Sequence, residues 1–486
     1  MKNDPDFLGQ VRSEVTDPRL WMDRAVVVAF ALLSGLAVVL FTLLADGAAL
    51  IFQAMAEGWW AWPLFWTPAV TALVAWLTLR FLPGAGGSGP PQVVAALDQR
   101  VPAKERAYWV SMKNTAGKIG AVTGGLLAGL SMGRQGPSVQ IAAGVMYAAR
   151  HFLSKRSSIT ARELLVAGGA AGIAAAFNTP LGGIVFAIEE LSRKVETKSS
   201  NLMLGAIVLA GLVSVAAFGN LSYFGRIRID LVGWHVFAPG LVLTLLCGLG
   251  GGLLARLLIA STFGTVDRFC ALRRRRPVRF AAACGLAVAV IGVLTGATVA
   301  GAGHDHTRVL LTGAAASPVS DFPGLWTLLK LVATWLSAWS GVPGGLFGPA
   351  LSIGASLGHD VAQVMAPEYA TVLIALGMAG FLAAVTQTPI TAMIIVMEMV
   401  DGYAMLLGLM AAAMLASLVS RTVSRPLYAT LGDMLVQRRR FTDESGGDRA
   451  RAQAQASPAS AAPSPAPATP GPAAPSDQTP PAPPSP

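Results

Sequence analysis

Apolar runs with little or no charge recur along this chain, and charged residues cluster at their ends. Ala25 to Ala45 is uncharged between Arg24 and Asp46, and Phe280 to Gly303 is uncharged throughout. Similar runs lie around 205–218, 236–266, 370–397 and 403–420. A helix rises about 1.5 Å per residue, so about 20 apolar residues cross the ~30 Å hydrocarbon core of a bilayer. The first two runs each meet that length. The pattern predicts an all-α polytopic membrane protein. Buried helices of a large soluble protein are the alternative, and the scarcity of charge between the runs argues against them.

Composition strengthens that reading. Hydrophobic residues make up 53% of the 486 positions and charged residues 13%, against roughly 25% charged in soluble domains. The net charge of +10 raises the question of nucleic acid, but the basic residues cluster at the flanks of apolar runs, at Arg273 to Arg276 with Arg279 and at Arg438 to Arg440. Basic flanks mark cytoplasmic edges, so no nucleic-acid partner is expected. Lys2, Arg12, Arg19 and Arg24 make 1–20 a cytoplasmic N-terminal segment, with no cleavable leader before it. From Phe441 the chain turns to Pro, Ala, Ser and Gln, too poor in apolar bulk to fold, so 441–486 reads as a disordered cytoplasmic tail. Both termini are thus expected in the cytoplasm, with the spans in the cell's inner (plasma) membrane. Cys247, Cys270 and Cys284 lack metal-binding spacing and sit in or beside apolar runs. Neither a metal nor a cofactor is expected.

An internal repeat organises the membrane part. Gly133-Arg134-Gln135-Gly136-Pro137 and Gly345-Leu346-Phe347-Gly348-Pro349 are both G-x-x-G-P, at an offset of 212, and Lys118 and Lys330 precede them with the same offset. Ala174, Ala175, Thr179, Pro180 and Glu189 match Ala383, Ala384, Thr388, Pro389 and Glu398 at an offset of 209. Such repeats in membrane transporters pack about a pseudo-two-fold axis, often inverted, with the substrate near the midplane. The halves are placed at 21–225 and 234–431.

Three glycine-rich breaks carry candidate chemistry: Gly86 to Pro91, Gly133 to Pro137 and Gly344 to Pro349. A small anion in a membrane needs donors in place of water, yet a full positive charge would be costly there and would hold the ion too tightly. A helix opened at mid-membrane offers unpaired N–H groups and the positive end of its dipole. Other glycine pairs, such as Gly125/Gly129 and Gly248/Gly252, read as helix-packing surface.

G-S-G-x-P at Gly87 to Pro91, G-R-x-G-P at Gly133 to Pro137, G-x-F-x-P at Gly345 to Pro349 and P-L-Y at Pro426 to Tyr428 resemble the four anion-filter segments of the CLC family of chloride channels and chloride/proton antiporters. The resemblance covers about Trp21 to Leu431. It implies the CLC fold, a homodimer with a pore in each subunit, and transmembrane chloride transport. By the same resemblance Ser88 and Tyr428 present hydroxyl donors to a central chloride, and the backbone N–H groups of Leu346 and Phe347 complete its shell. Lys118 matches a basic residue kept behind the filter, where it raises the potential for anions; an interfacial, snorkelling lysine is the alternative. Lys330 is expected to be oriented differently. The paired nucleotide-sensing module of some members cannot be built from the short tail.

The chain departs from the family where protons are handled. The third position of G-R-x-G-P is glutamate in the antiporters, where it blocks the outer anion path when ionised and carries the exchanged proton. Gln135 stands there instead, and an amide has no proton to exchange near neutral pH. The expected gate is therefore fixed in a neutral state, and transport is expected to be passive and uncoupled. Glu190 matches the family's inner proton-accepting glutamate and has no repeat partner, since Met399 takes its place; a relic or a cytoplasmic-edge residue is the alternative. Glu189 and Glu398 are a matched pair, which suggests a structural role such as satisfying backbone donors. In the first filter Pro90 replaces an aliphatic residue and Gln92 stands where an acid is common.

Other readings remain open at the level of sequence. A proton-coupled antiporter would need another acid or water in place of the missing glutamate. A fluoride exporter of the same superfamily matches less well at Ser88 and Tyr428. An intramembrane hydrolase is suggested by G-x-S-x-G at Gly354 to Gly358, with Ser356 and the adjacent His359, although a nucleophile elbow needs a strand-to-helix turn and this stretch is expected to be helical. No enzyme activity is expected.

Overall fold

The computed structural model describes residues 18–191, 200–219, 224, 234–263, 268–312 and 324–440. The expected tail 441–486 and nearly all of 1–20 lie outside the described residues. The chain divides into two units, Met1–Val436 and Gln437–Pro486; in the second, 437–440 are helical.

Helices are the regular elements of the first unit: α1 (Pro18–Gly58), α2 (Trp62–Phe81), α3 (Pro90–Leu97), α4 (Ala103–Val110), α5 (Met112–Leu127), α6 (Gln135–Ala148), α7 (Ala161–Phe177), α8 (Pro180–Phe186), α9 (Ser200–Phe218), α10 (Phe237–Phe263), α11 (Arg268–Arg275), α12 (Pro277–Leu294), α13 (His304–Thr312), α14 (Leu325–Trp339), α15 (Phe347–Met365), α16 (Ala370–Thr386), α17 (Pro389–Met399), α18 (Leu406–Val423) and α19 (427–436). Seven stretches among the described residues are long and apolar enough to cross a membrane. The fold is a two-fold repeat of membrane and shorter, re-entrant helices, inverted as the internal repeat predicts.

Burial follows residue type. In α1 the small residues Ala31, Ser34, Gly35, Val38, Thr42 and Ala45 face inward, while Leu36, Leu40, Leu43 and Leu44 stay about half exposed and suit a lipid face. A Cβ on Gly35 would come within 2.8 Å of the Ala210 carbonyl oxygen in α9; without a hydrophobic force between helices in lipid, such close contact is what packing relies on. By contrast α6, α7 and α16 are buried on nearly every side and form the centre.

The repeat is visible in packing. α6 packs on α7, and their mates α15 and α16 pack together likewise. Helices α7 and α16 end alike, at Asn178 and Gln387, both left-handed with φ 58°; a Thr-Pro pair then starts α8 and α17. The apolar run 370–397 is thus two helices rather than one. On the axis, Gly133 and Gly345 exchange two backbone hydrogen bonds of 2.8 Å, N–H of each to the carbonyl of the other. Glu189, after α8, accepts from the backbone N–H groups of Ile390 (3.2 Å) and Thr391 (2.7 Å) and from the Thr391 hydroxyl (2.7 Å). Its mate Glu398 accepts from Leu181 (3.2 Å) and Gly182 (2.8 Å). Each half therefore caps a short helix of the other, a carboxylate at the positive end of a dipole.

Candidate functional site

The first glycine-rich break is a tight loop ahead of α3, held from both sides. Lys118, on α5, is fully buried and donates to the carbonyls of Ala85 (2.7 Å) and Gly87 (2.5 Å). Full burial excludes the snorkelling reading. Gln92 donates to the Gly86 carbonyl (2.6 Å) and accepts from the Gly89 N–H (2.8 Å). An amide can do both at once; a carboxylate, acceptor only, cannot. Gln140, in α6, donates to the carbonyls of Gly84 (3.0 Å) and Trp109 (2.6 Å) and ties the loop to the centre.

Backbones then meet where side chains are missing. A Cβ on Gly89, whose φ is 111°, would sit 2.1 Å from the Gly136 carbonyl oxygen. One on Gly136 would sit 2.6 Å from the Ser88 carbonyl oxygen and 3.1 Å from Gly345 Cα. The loop before α3, the opening of α6 and the opening of α15 thus converge in direct backbone contact. Tyr428 joins from α19, its ring 5.7 Å from that of Phe347, and Phe177 and Phe186 pack edge-on against the same Phe347 ring at 5.9 and 6.2 Å. Beyond Tyr428, Asp433 and Asp98 share Arg100, joining α19 to the end of α3.

Two hydroxyls at this convergence lack a partner among the described residues. Ser88 Oγ and Tyr428 OH are buried and make no hydrogen bond to any described residue. Burying an unpaired hydroxyl is unfavourable, so a pair of them beside the opening turns of two helices is suited to an anion, which accepts from both. Leu346 and Phe347 are buried at the start of α15. The structure brings Ser88, Leu346, Phe347 and Tyr428 to one region, with Lys118 behind the loop that carries Ser88.

Gln135 opens α6 and is buried, 1% exposed. It lies against Gly348, whose Cβ would come 2.9 Å from Gln135 Oε1. Preceding it, Arg134 pairs with Asp46 of α1. Lys330 is likewise fully buried and donates 2.8 Å bonds to the carbonyls of Val299 and Gly301, as Lys118 does to Ala85 and Gly87. Glu190 lies in a π-helical turn, Ala187–Leu191, and is buried at 7% exposure within electrostatic reach of the Tyr428 hydroxyl. That placement disfavours an exposed cytoplasmic-edge residue.

Ser356 has a histidine partner, but not the adjacent one. His306 Nε2 and Ser356 Oγ are 2.9 Å apart, and the His306 ring stacks on Trp326 at 3.7 Å; His359 instead meets Gln363 at 3.2 Å. Ser356 lies inside α15, with no strand-to-helix turn to expose it. No group of three or more potential metal ligands occurs among the described residues, and the three cysteines are free and buried.

A family model described as voltage gated chloride channel matches residues 70–421. Among curated proteins, the chain is 32% identical over 387 residues to the H(+)/Cl(-) exchange transporter ClcA of Salmonella typhimurium, covering 76% of this chain and 78% of the relative. It is 31% identical over 388 residues to the ClcA of Citrobacter koseri, with the same coverage. Among solved structures, a slow cyanobacterial Cl-/H+ antiporter superposes with a TM-score of 0.72 at 22% identity, over 86% of this chain and 98% of that one.

Proposed function

Because the chain belongs to the voltage-gated chloride channel family, we propose that it carries chloride across a lipid bilayer, passively and without moving protons. The observation that supports chloride is the pair of buried hydroxyls, Ser88 and Tyr428, with no partner among the described residues at the convergence of three helix openings. Neutral donors hold an anion without the excess attraction of a fixed cation, so the ion can leave again. Leu346 and Phe347 add backbone donors, and Lys118 raises the local potential without touching the ion. Gln135 is the gate position. Its amide neither competes with chloride as an anion nor exchanges a proton.

The working unit on this reading is a homodimer of two-repeat subunits, with halves 21–225 and 234–431, in the inner membrane and with both termini cytoplasmic. A proton-coupled antiporter is the second reading, favoured by the burial of Glu190 near Tyr428 and by the exchange activity named for the curated relatives. Chloride efflux from vesicles holding the purified protein, with external pH recorded at the same time, separates the two. The expected result is chloride flux down its gradient with no proton movement uphill. Sustained chloride-driven proton movement, abolished by Glu190→Gln, would establish coupling instead.

A further inference from the structure

The two-fold axis generates a second copy of the filter loop. Lys118 holds Ala85 and Gly87, and Lys330 holds Val299 and Gly301, so 85–90 corresponds to 299–304. Gly136 packs on Ser88, and its mate Gly348 packs on Ala302, where a Cβ would meet Ala302 Cβ at 2.8 Å. The hydroxyl of the first loop has become a methyl group, and Pro90 has become His304. The second loop does not end in a copy of the first site. It opens on a small cavity of about 10 Å³, lined by Ala302, Gly303, His304, Thr307, Gly348 and the gate residue Gln135.

We propose that His304 is a proton-responsive group of the gate: its protonated imidazole draws an anion into the cavity beside Gln135, and its neutral form lets the anion go. The proposal rests on the reading that Gln135 lines the anion path. Its support is the shared cavity, which places the titratable ring opposite an amide that cannot titrate. The ring is held in place by stacking on Phe224, at 4.9 Å and 25°.

Among the described residues, few charged groups act on it. Arg134, paired with Asp46, acts on His304 from the segment before α6, and Asp305 and Arg308 act from α13 itself. His306, two positions on, is turned away to Ser356 and Trp326. Of the helices packed on α13, α15 contributes Gly348 and Leu351 to the cavity, and α16 has no titratable residue along its length. An imidazole is the side chain whose ordinary range lies nearest neutrality; burial, and then Arg134, push that of His304 down to about 4, so its charge appears as pH falls toward 4. Protonation adds a positive charge to the cavity, so anion passage rises as pH falls.

The test measures chloride efflux from vesicles with the full chain, at about pH 4 and about pH 8 on both sides. For the native protein the ratio of the two fluxes is expected to be roughly tenfold or more, the effect of one charge-assisted hydrogen bond. His304→Phe keeps a ring to stack on Phe224 and should bring the ratio close to one. His304→Gln, which keeps polarity and removes titration near neutral pH, should do the same and serves if the Phe variant fails to fold. A native ratio of one, or an unchanged ratio in a folded variant, would overturn the assignment. Gln135→Ala distinguishes this failure from the other: if it leaves flux unaltered, the path itself has been misplaced; if it alters flux while His304→Phe keeps the native ratio, His304 alone has been misassigned.

Discussion

Replacing Ser88 by Ala and Tyr428 by Phe should weaken chloride binding while leaving the chloride-free protein as stable as before, or more so. Each hydroxyl that donates to an anion contributes about 1.5–3 kcal/mol. Two of them bound to one ion interact, so their sum of about 3–6 kcal/mol is an upper range, which corresponds to roughly a hundredfold to ten-thousandfold in dissociation constant. The stability effect has the opposite sign because both oxygens are buried without a partner among the described residues. An unsatisfied buried hydroxyl costs about 1–3 kcal/mol, and that cost disappears with the oxygen. Phe at 428 keeps the ring that packs 5.7 Å from Phe347, and Ala at 88 removes a single atom, so neither change opens a large cavity. The assays are calorimetric titration with chloride and thermal unfolding with and without it, a large impermeant anion replacing chloride in the second case. Native protein should be stabilised by chloride and the double variant should not, since stabilisation grows as RT ln(1 + [L]/Kd). Equal chloride stabilisation in both proteins would refute the site. A loss of more than about 2 kcal/mol in chloride-free buffer would refute the claim that the hydroxyls lack partners, because that is the size of a broken buried hydrogen bond.

Two further substitutions probe the loop and the gate. Gln92→Glu retains an acceptor for the Gly89 N–H but turns a second acceptor toward the Gly86 carbonyl, 2.6 Å away in the native protein; chloride affinity should fall by roughly tenfold or more and recover in part at low pH, where the acid regains a proton to donate. Unchanged affinity at all pH values would show that the loop does not depend on this clamp. Gln135→Glu, made in the His304→Phe background so that the imidazole no longer contributes, should impose a new pH response in which flux rises as pH falls, because the ionised carboxylate competes with chloride for helix-opening donors and its protonated form does not. Identical pH profiles with and without the new acid would show that position 135 lies off the path.

What can be read in the chain without its structure divides by range. Spans and helix openings are local signals, carried by hydropathy, glycine and proline, and they place α3, α6 and α15 at the three glycine-rich breaks. The repeat is legible because motifs such as G-x-x-G-P survive in both halves, and Glu189 and Glu398 can be read as structural because they match. Contacts between distant residues are not legible. Nothing near Gln92 announces that its amide closes the Gly86–Gly89 turn, and nothing near Ser356 points to His306, 50 residues earlier, rather than to adjacent His359. His304 belongs to the other half of the repeat from Gln135 and meets it only because two loops cross beside the axis. One signal for it is available: an offset of 214 places His304 opposite Pro90, but that correspondence is fixed by the carbonyls Lys330 holds, and its orientation is not written in the sequence.

The internal symmetry also separates scaffold from function. Positions that hold the fold are repeated in kind: Lys118 with Lys330, Gly133 with Gly345, Glu189 with Glu398, Asn178 with Gln387, each pair in equivalent contacts or backbone conformation. Both halves must close a glycine loop, cross at the axis and cap a short helix, so both keep the residues that do so. An ion path across a membrane is not symmetric, since its two mouths face different solutions. Four of the side chains assigned to the path stand where the repeat breaks: Ser88 against Ala302, Gln135 against Phe347, Glu190 against Met399 and His304 against Pro90. A hydroxyl faces a methyl, an amide a phenyl, an acid a thioether and an imidazole a proline. If symmetry alone governed these sites, the mates would be alike in chemistry, as the lysines and glutamates are. That they differ where an anion or a proton has to be handled is an argument for their roles independent of any single contact. It also implies that exchanging Ser88 and Ala302 would impair chloride binding far more than stability, whereas replacing either buried lysine would unseat a loop.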